Sequence, residues 1–278
     1  MTRYAIVCNC LTFYLPTTLR NLSHVVGKGN VLLVGAADTV ELAAEIGVEH
    51  VSIDDISKHV ECRIDALEKV FKNNGGNKDK FEKFCFCRFF FLEYIMRVWE
   101  VSEIVHLDAD ILLYGFPDIS NGRAELCVPN ESGTFLSKWT LEALLKFNDF
   151  VVGDYFLDDN RGRYCDMNAL LHFIKNECPS KGLTVQILGE RGYETCPRAD
   201  YSFRQFLIDG YFNKLNNGKG IEIKTAERLP LIQEGDFLDV CRISEDGVQI
   251  NNRVLKMVHL QGDCKRYFAH FTKFGSKR

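Results

Sequence analysis

Ile104-Val105-His106-Leu107-Asp108-Ala109-Asp110 is a short apolar run that ends in two carboxylates one residue apart. The run has the length and β-branched content of a buried strand, and the carboxylates fall where that strand must stop. Upstream, Phe81, Phe84, Phe91, Leu92, Ile95 and Trp99 recur at three- and four-residue steps, which predicts a helix with an apolar stripe. The polar stretch Asn73–Lys80 precedes it as a loop. Nearer the N-terminus, Tyr4–Cys8, Val31–Val34 (ending at Gly35) and Val51–Ile53 read as strands, and Asp38–Ile46 as a short helix closed by Gly47. Strands alternating with helices predict an α/β fold with a central, mostly parallel sheet flanked by helices. Downstream, Thr140–Tyr155 reads as a helix capped by Thr140, Asp158–Arg163 as a loop, Asp166–Ile174 as a helix, and Val254–Leu260 as a last strand carrying His259 at its end. No stretch has the composition of a linker, so one domain over residues 1–278 is expected.

Composition excludes several classes. With 278 residues, 46% hydrophobic and 26% charged, the chain is neither collagen-like, disordered nor coiled-coil. A net charge of −4 without a basic stripe argues against nucleic acid as the main partner. No run of about 20 apolar residues is present, so no membrane span is expected. The apolar opening from Ala5 to Leu15 ends at Pro16 without a cleavage site, and reads as a buried strand and a turn rather than a secretion signal. The 11 cysteines are odd in number and lack zinc-knuckle spacing (Cys8/Cys10 and Cys85/Cys87 are C-x-C), which predicts reduced thiols in the cytoplasm.

Three constellations carry chemistry. Asp108 and Asp110 lie just past a strand, where ligands bind in open α/β sheets, and hard carboxylate oxygens there suit Mn²⁺ or Mg²⁺. The bland alternative is a pair of solvated turn residues. Arg88 lies seven and four residues from Phe81 and Phe84, and four and seven from Leu92 and Ile95, so it shares the apolar stripe. A guanidinium there needs an anion: a ligand, or a structural partner such as Asp65 or Glu93. Third, His259-Leu260-Gln261-Gly262-Asp263-Cys264-Lys265 combines an imidazole at a strand end, a glycine that lets backbone approach a ligand, and a point charge suited to phosphate.

The D-x-D after a helix and strand, paired with a C-terminal H-x2-G-x2-K, resembles the metal-dependent GT-A glycosyltransferases, most closely glycosyltransferase family 8. The strand end Val7-Cys8-Asn9 with Tyr14 and Leu19 is similar to that family's nucleotide-binding opening. The segments Ser137–Thr140 and Cys165–Leu171 look like small members of the same superfamily. The resemblance runs in order along nearly the whole chain. It implies a single Rossmann-like GT-A domain, with a nucleotide-binding half over residues 1–115, and an acceptor half with a metal- and diphosphate-closing segment over 116–278. Asp108, Asp110 and His259 would hold Mn²⁺ or Mg²⁺, with Asp108 also near the ribose. Gly262 and Lys265 would contact the diphosphate and Arg88 the donor's sugar or diphosphate. Asn9 and Tyr14 would lie near the base or ribose. The implied reaction moves a hexosyl or pentosyl group from a nucleotide sugar, UDP being the implied nucleotide, to a glycan or other hydroxyl acceptor with retention.

Asp166-Met167 stands where family 8 has Asp-Gln, which leaves the stereochemistry open and gives Asp166 two readings, catalytic carboxylate or helix N-cap. The loops Asn130–Trp139 and Asp158–Tyr164 are candidates for an acceptor-facing wall, with Trp139 and Tyr164 either stacking on a sugar or packed in the core. Two other classes remain in view: a haloacid-dehalogenase-type phosphatase, which also uses a D-x-D, and a non-catalytic sugar-nucleotide-binding module.

Overall fold

The computed structural model describes residues 2–74, 77–113, 124–129, 131, 133–157 and 164–187, with strand residues 241–244, 247–250, 253–255 and 257–259. Its contacts divide into two compact units interleaved along the chain: Met1–Leu11, Lys28–Asp108 and Asp118–Ile187 in the first, and Thr12–Gly27, Ala109–Pro117 and Leu188–Arg278 in the second. In chain order the strands are β1 (Thr2–Cys8), β2 (Val31–Gly35), β3 (Glu49–Ser52), β4 (Glu103–Leu107), β5 (Ile111–Leu113) and β6 (Leu126–Val128). They continue as β7 (Leu136–Thr140), β8 (Val185–Ile187), β9 (Cys241–Ser244), β10 (Gly247–Ile250), β11 (Arg253–Leu255) and β12 (Met257–His259). The helices are α1 (Leu15–Val26), α2 (Val40–Ile46), α3 (Ile53–His59) and α4 (Glu61–Val70). They are followed by α5 (Asp79–Val98), α6 (Leu141–Phe150), α7 (Asp166–His172) and the short α8 (Cys178–Ser180).

The first unit is built on a seven-stranded sheet of order β3-β2-β1-β4-β7-β6-β8. Every pairing is parallel except those of β7 with β4 and β6. All five residues of β2 are buried, as the unbroken apolar run Val31–Val34 requires of a strand covered on both faces. β1 lies between β2 and β4, so the strand order reverses there, and the crevice outside the carboxyl ends of β1 and β4 is the position where such sheets hold ligands. Asn9 follows β1 and Asp108 follows β4.

The core of this unit is aromatic. Phe89 on α5 meets Trp139 and Phe147 edge-on at ring separations of 5.6 and 5.1 Å, and Phe147 meets Phe173 at 5.3 Å. α5 begins with Asp79 and Glu82 in its first turn, where acidic groups suit the helix dipole. Phe81 departs from the expected stripe: it is 53% exposed in the first turn of α5, where Glu82 beside it is the buried residue. Thr140 caps α6 as expected, accepting from the Ala143 N–H at 3.3 Å, and a π-type turn over Val151–Tyr155 extends the helix. Gly47 ends α2 with left-handed backbone (φ 80°), which a side chain would strain. Trp139 and Tyr164 are both buried, which settles their two readings in favour of the core. Leu136–Trp139, the last four residues of one expected acceptor loop, instead belong to β7, an interior strand of the sheet.

The second unit contains α1, a three-stranded antiparallel sheet of order β11-β10-β9, and the antiparallel pair β12-β5. The segment at Leu15, expected to close a strand and a turn, opens α1 instead, with Pro16 in the first turn, where its missing N–H costs nothing. Leu15, Leu19, Leu22 and Val26 line its buried face. The expected single strand Val254–Leu260 is two, β11 and β12, and residue 260 lies outside the described residues. No helix among the described residues is long and apolar enough to cross a membrane.

Among the described residues eight cysteines are free thiols: Cys10 and Cys62 exposed, and Cys8, Cys85, Cys87, Cys127, Cys165 and Cys178 buried. Burial pushes the Cys87 and Cys178 thiols up to about 12 and Cys127 to about 11, far from reactive thiolates. Peptide mapping after brief iodoacetamide treatment should therefore find Cys10 and Cys62 alkylated and the six buried thiols protected until denaturant is added. Rapid native labelling of Cys127 would contradict this packing.

Candidate active site

In the first unit three elements bring charge to one point. β4 delivers Asp108 at its carboxyl end, and the Asp108 backbone N–H donates to the Phe135 carbonyl at 2.8 Å, tying the strand end to the turn before β7. α5 presents Arg88, and Asp166 is the first residue of α7. Arg88 Nη1 donates to Asp108 Oδ1 at 2.5 Å, and Nη2 donates to Asp166 Oδ2. Arg88 and Asp166 are buried, whereas the Asp108 side chain keeps 27% of its surface exposed. Burial alone would weaken the guanidinium's charge, but Asp108 and Asp166 outweigh it and push the Arg88 pKa above its ordinary value. The cluster is thus an obligate cation between two carboxylates, one of which reaches solvent.

His106 lies beneath it, fully buried on β4. The Thr134 carbonyl, 3.1 Å from Nδ1, can only accept, so Nδ1 carries the hydrogen and the tautomer is fixed. Burial, then the nearby Arg88 charge, push the imidazole down to about 4, so it is neutral at pH 7. Its Nε2 stands 3.7 Å from Asp108 Oδ1.

In the second unit Asp110 immediately precedes β5 and His259 ends β12, and the antiparallel register places His259 opposite Ile111. His259 Nε2 is 3.2 Å from Asp110 Oδ1, with both side chains under 10% exposed. A carboxylate and an imidazole, 149 residues apart in sequence (259 − 110), thus form one buried donor pair. Asp108 is linked to Asp110 through Ala109 alone, which limits their Cα separation to about 7 Å whatever the backbone does.

The remaining expected residues fall as follows. Asn9 is exposed just past β1. Tyr14 stands at the N-terminus of α1, half-buried, with its ring edge-on to Phe13 at 5.1 Å. Gly262 and Lys265 lie outside the described residues, as do Asp158 and Asp159. Two expectations are corrected. The structural partners considered for Arg88 were Asp65 and Glu93, but Asp65 is exposed and Glu93 serves Arg63, Arg97 and Asn148. Asp166 is not the N-cap of α7: Cys165 holds that position, and the Asp166 carboxylate turns to Arg88 instead. Thr18 and Asn21 on α1, absent from the expected site residues, hydrogen-bond the main chain around Asp110. A threonine and an asparagine at helical spacing, facing the strand after a D-x-D, were the only signal.

No family model matches the chain, and no curated protein matches it in sequence. Solved structures share its fold. The galactosyltransferase LgtC, in complex with donor and acceptor sugar analogues, matches with a TM-score of 0.51 at 11% identity, covering 97% of this chain and 95% of that one. An active-site mutant of LgtC matches at 0.50 and 10% identity over the same shares. Mouse xyloside xylosyltransferase 1, in its apo form, matches at 0.47 and 13% identity, covering 77% of this chain and 92% of that one. The mostly parallel sheet with its flanking helices is the fold of the GT-A glycosyltransferases.

Removing the shared cation tests the first cluster. Arg88→Met leaves Asp108 and Asp166 uncompensated and should destabilise the fold by about 3–5 kcal/mol in urea titrations. Adding Asp166→Leu should recover part of that loss, since the second variant removes the stranded buried charge. A single variant as stable as the wild type would show that the triad carries no weight.

Proposed function

We propose that this chain is a metal-dependent glycosyltransferase that moves a sugar from a nucleoside diphosphate donor, a UDP-sugar, to a hydroxyl of a glycan or similar acceptor, with retention of configuration. The observation that carries the reading is the D-x-D at the carboxyl end of β4, at the switch point of a GT-A sheet. LgtC, which shares that fold over nearly the whole of both chains, was solved with donor and acceptor sugar analogues. Free, buried thiols are in keeping with a reducing, cytoplasmic setting.

The donor set fits Mn²⁺ or Mg²⁺. Asp108, Asp110 and His259 combine hard carboxylate oxygens with one imidazole nitrogen. The 3.2 Å between His259 Nε2 and Asp110 Oδ1 suits two neighbouring ligands of an octahedral ion, which lie about 3 Å apart when each bond is about 2.1 Å. When bound, such an ion neutralises negative charge on the diphosphate leaving group.

The chain's own residues do the rest. Lys265 adds a fixed positive charge at the diphosphate, and Gly262 lets backbone approach it. With that charge in place, no protein acid has to protonate the leaving group, unlike the paired carboxylates of glycosidases. Asn9 and Tyr14 serve the base and ribose. Arg88 keeps Asp108 and Asp166 oriented and offers positive potential to the donor's sugar or diphosphate. Asp166 is assigned to the sugar end, where a carboxylate stabilises positive charge developing at the anomeric carbon. What remains is to hold the acceptor hydroxyl beside that carbon.

The test is nucleotide release from UDP-, GDP- and dTDP-sugars with Mn²⁺, Mg²⁺ or EDTA. One donor, UDP-linked, should be hydrolysed slowly without acceptor. EDTA should abolish release, and Asp110→Asn and His259→Ala should each lower it more than about tenfold. Lys265→Ala should slow turnover at an unchanged melting temperature. Silence with every donor, together with hydrolysis of p-nitrophenyl phosphate, would replace this reading with a phosphatase.

A further inference from the structure

Among the described residues β5 is paired along one edge only, by β12. Asn21 of α1 bonds its final residue twice: Asn21 Nδ2 donates to the Leu113 carbonyl at 2.7 Å, and Asn21 Oδ1 accepts from the Leu113 N–H at 2.7 Å. An amide side chain that meets both groups of one residue does what a neighbouring strand would do. One turn earlier on the same helix, Thr18 is fully buried, and its hydroxyl donates to the Ala109 carbonyl at 2.6 Å. The Tyr14 carbonyl lies 3.4 Å from the same hydroxyl, at the limit of hydrogen bonding, and a hydroxyl has one hydrogen to give. Its short bond therefore goes to Ala109.

These three hydrogen bonds bracket Asp110. One fixes the main chain immediately before it and two fix the main chain three residues after it. On the strand's paired edge, His259 sits opposite Ile111 and faces the Asp110 carboxylate at 3.2 Å. Asp110 is thus a side chain on a segment held at both ends from one helix, with its partner delivered by the adjoining strand. A merely structural strand of three residues needs no such bracketing, and a fully buried threonine hydroxyl on a helix, with a half-buried amide one turn on, would otherwise be a cost.

We propose that Thr18 and Asn21 are positioning residues that set the Asp110 carboxylate for a divalent cation. The proposal rests on the metal-dependent reading above. The hydroxyl of Thr18 and the amide of Asn21 act through the main chain, and neither touches the ion or the donor. Partners that orient metal ligands typically contribute 10–100-fold to metal affinity, about the size expected here.

The test measures Mn²⁺ alone, by electron paramagnetic resonance titration of the full chain, with hydrogen exchange of the 109–113 segment and the melting temperature alongside. Thr18→Val keeps shape but removes the donor, whereas Thr18→Ser keeps the hydroxyl. Asn21→Leu removes both bonds, and Asn21→Asp keeps only an acceptor for the Leu113 N–H. Thr18→Val and Asn21→Leu should weaken Mn²⁺ binding at least about tenfold and speed exchange at Leu113 in the Asn21 variant. Thr18→Ser should restore wild-type affinity, and Asn21→Asp should fall between. If the wild type binds Mn²⁺ and Thr18→Val or Asn21→Leu binds it equally well while still melting cooperatively, the positioning role is overturned and the metal site stands. If the wild type binds no Mn²⁺ while exchange at Leu113 still responds to Asn21→Leu, the metal reading itself fails and this assignment falls with it. Should Asn21→Leu fail to fold, Thr18→Val against Thr18→Ser decides the matter.

Discussion

One guanidinium joins three parts of the sheet unit. Arg88 comes from the middle of α5, Asp108 from the end of β4 and Asp166 from the first turn of α7. Taking these three charges out of water separately would be prohibitive; together they leave one net negative charge, and the Asp108 side chain keeps an open route to solvent. The positions of α5 and α7 against the strand end are therefore tied to each other electrostatically, not by apolar packing alone. Any ligand that meets Asp108 meets a carboxylate whose direction has already been chosen.

The surroundings keep that choice fixed. Phe89, one residue past Arg88, wedges between Trp139, Phe147 and His106, so the helix cannot rotate without breaking the aromatic core. His106 is held neutral by burial and by Arg88 itself, so the cluster contains a single permanent cation. One of the points at which the chain passes from the first compact unit to the second is the Asp108–Ala109 peptide bond. Each unit consequently fixes its own carboxylate: the first by an arginine, the second by an imidazole and by main-chain bonds from α1.

Much of this was legible in the residues. The buried strands, the helix carrying Arg88, the cap at Thr140 and the end of α2 at Gly47 follow from local patterns that tertiary packing had no reason to override. Other parts were not legible, for identifiable reasons. α3 and α4 bury only Ile56 and Leu67 outright, too little for a periodic signal. Pro16 reads as a stop in sequence although it suits a first turn, so α1, which holds Thr18 and Asn21, is hidden behind it. Trp139 reads as a loop residue because polar Ser137 and Lys138 interrupt β7, which therefore lacks the apolar run that marks the other interior strands. The Arg88–Asp166 pair spans 78 residues and has no local trace at all. The candidate ligands were visible as motifs, but what orients them was not.

The central claim is that a divalent cation held by the D-x-D region mediates recognition of a nucleoside diphosphate. Calorimetric titration of UDP into the full chain, with Mn²⁺ and then with EDTA, addresses it most directly. The account predicts saturable binding with Mn²⁺ that disappears in EDTA and in Asp110→Asn. Equal UDP affinity with and without the metal, or undiminished binding by Asp110→Asn, would contradict it.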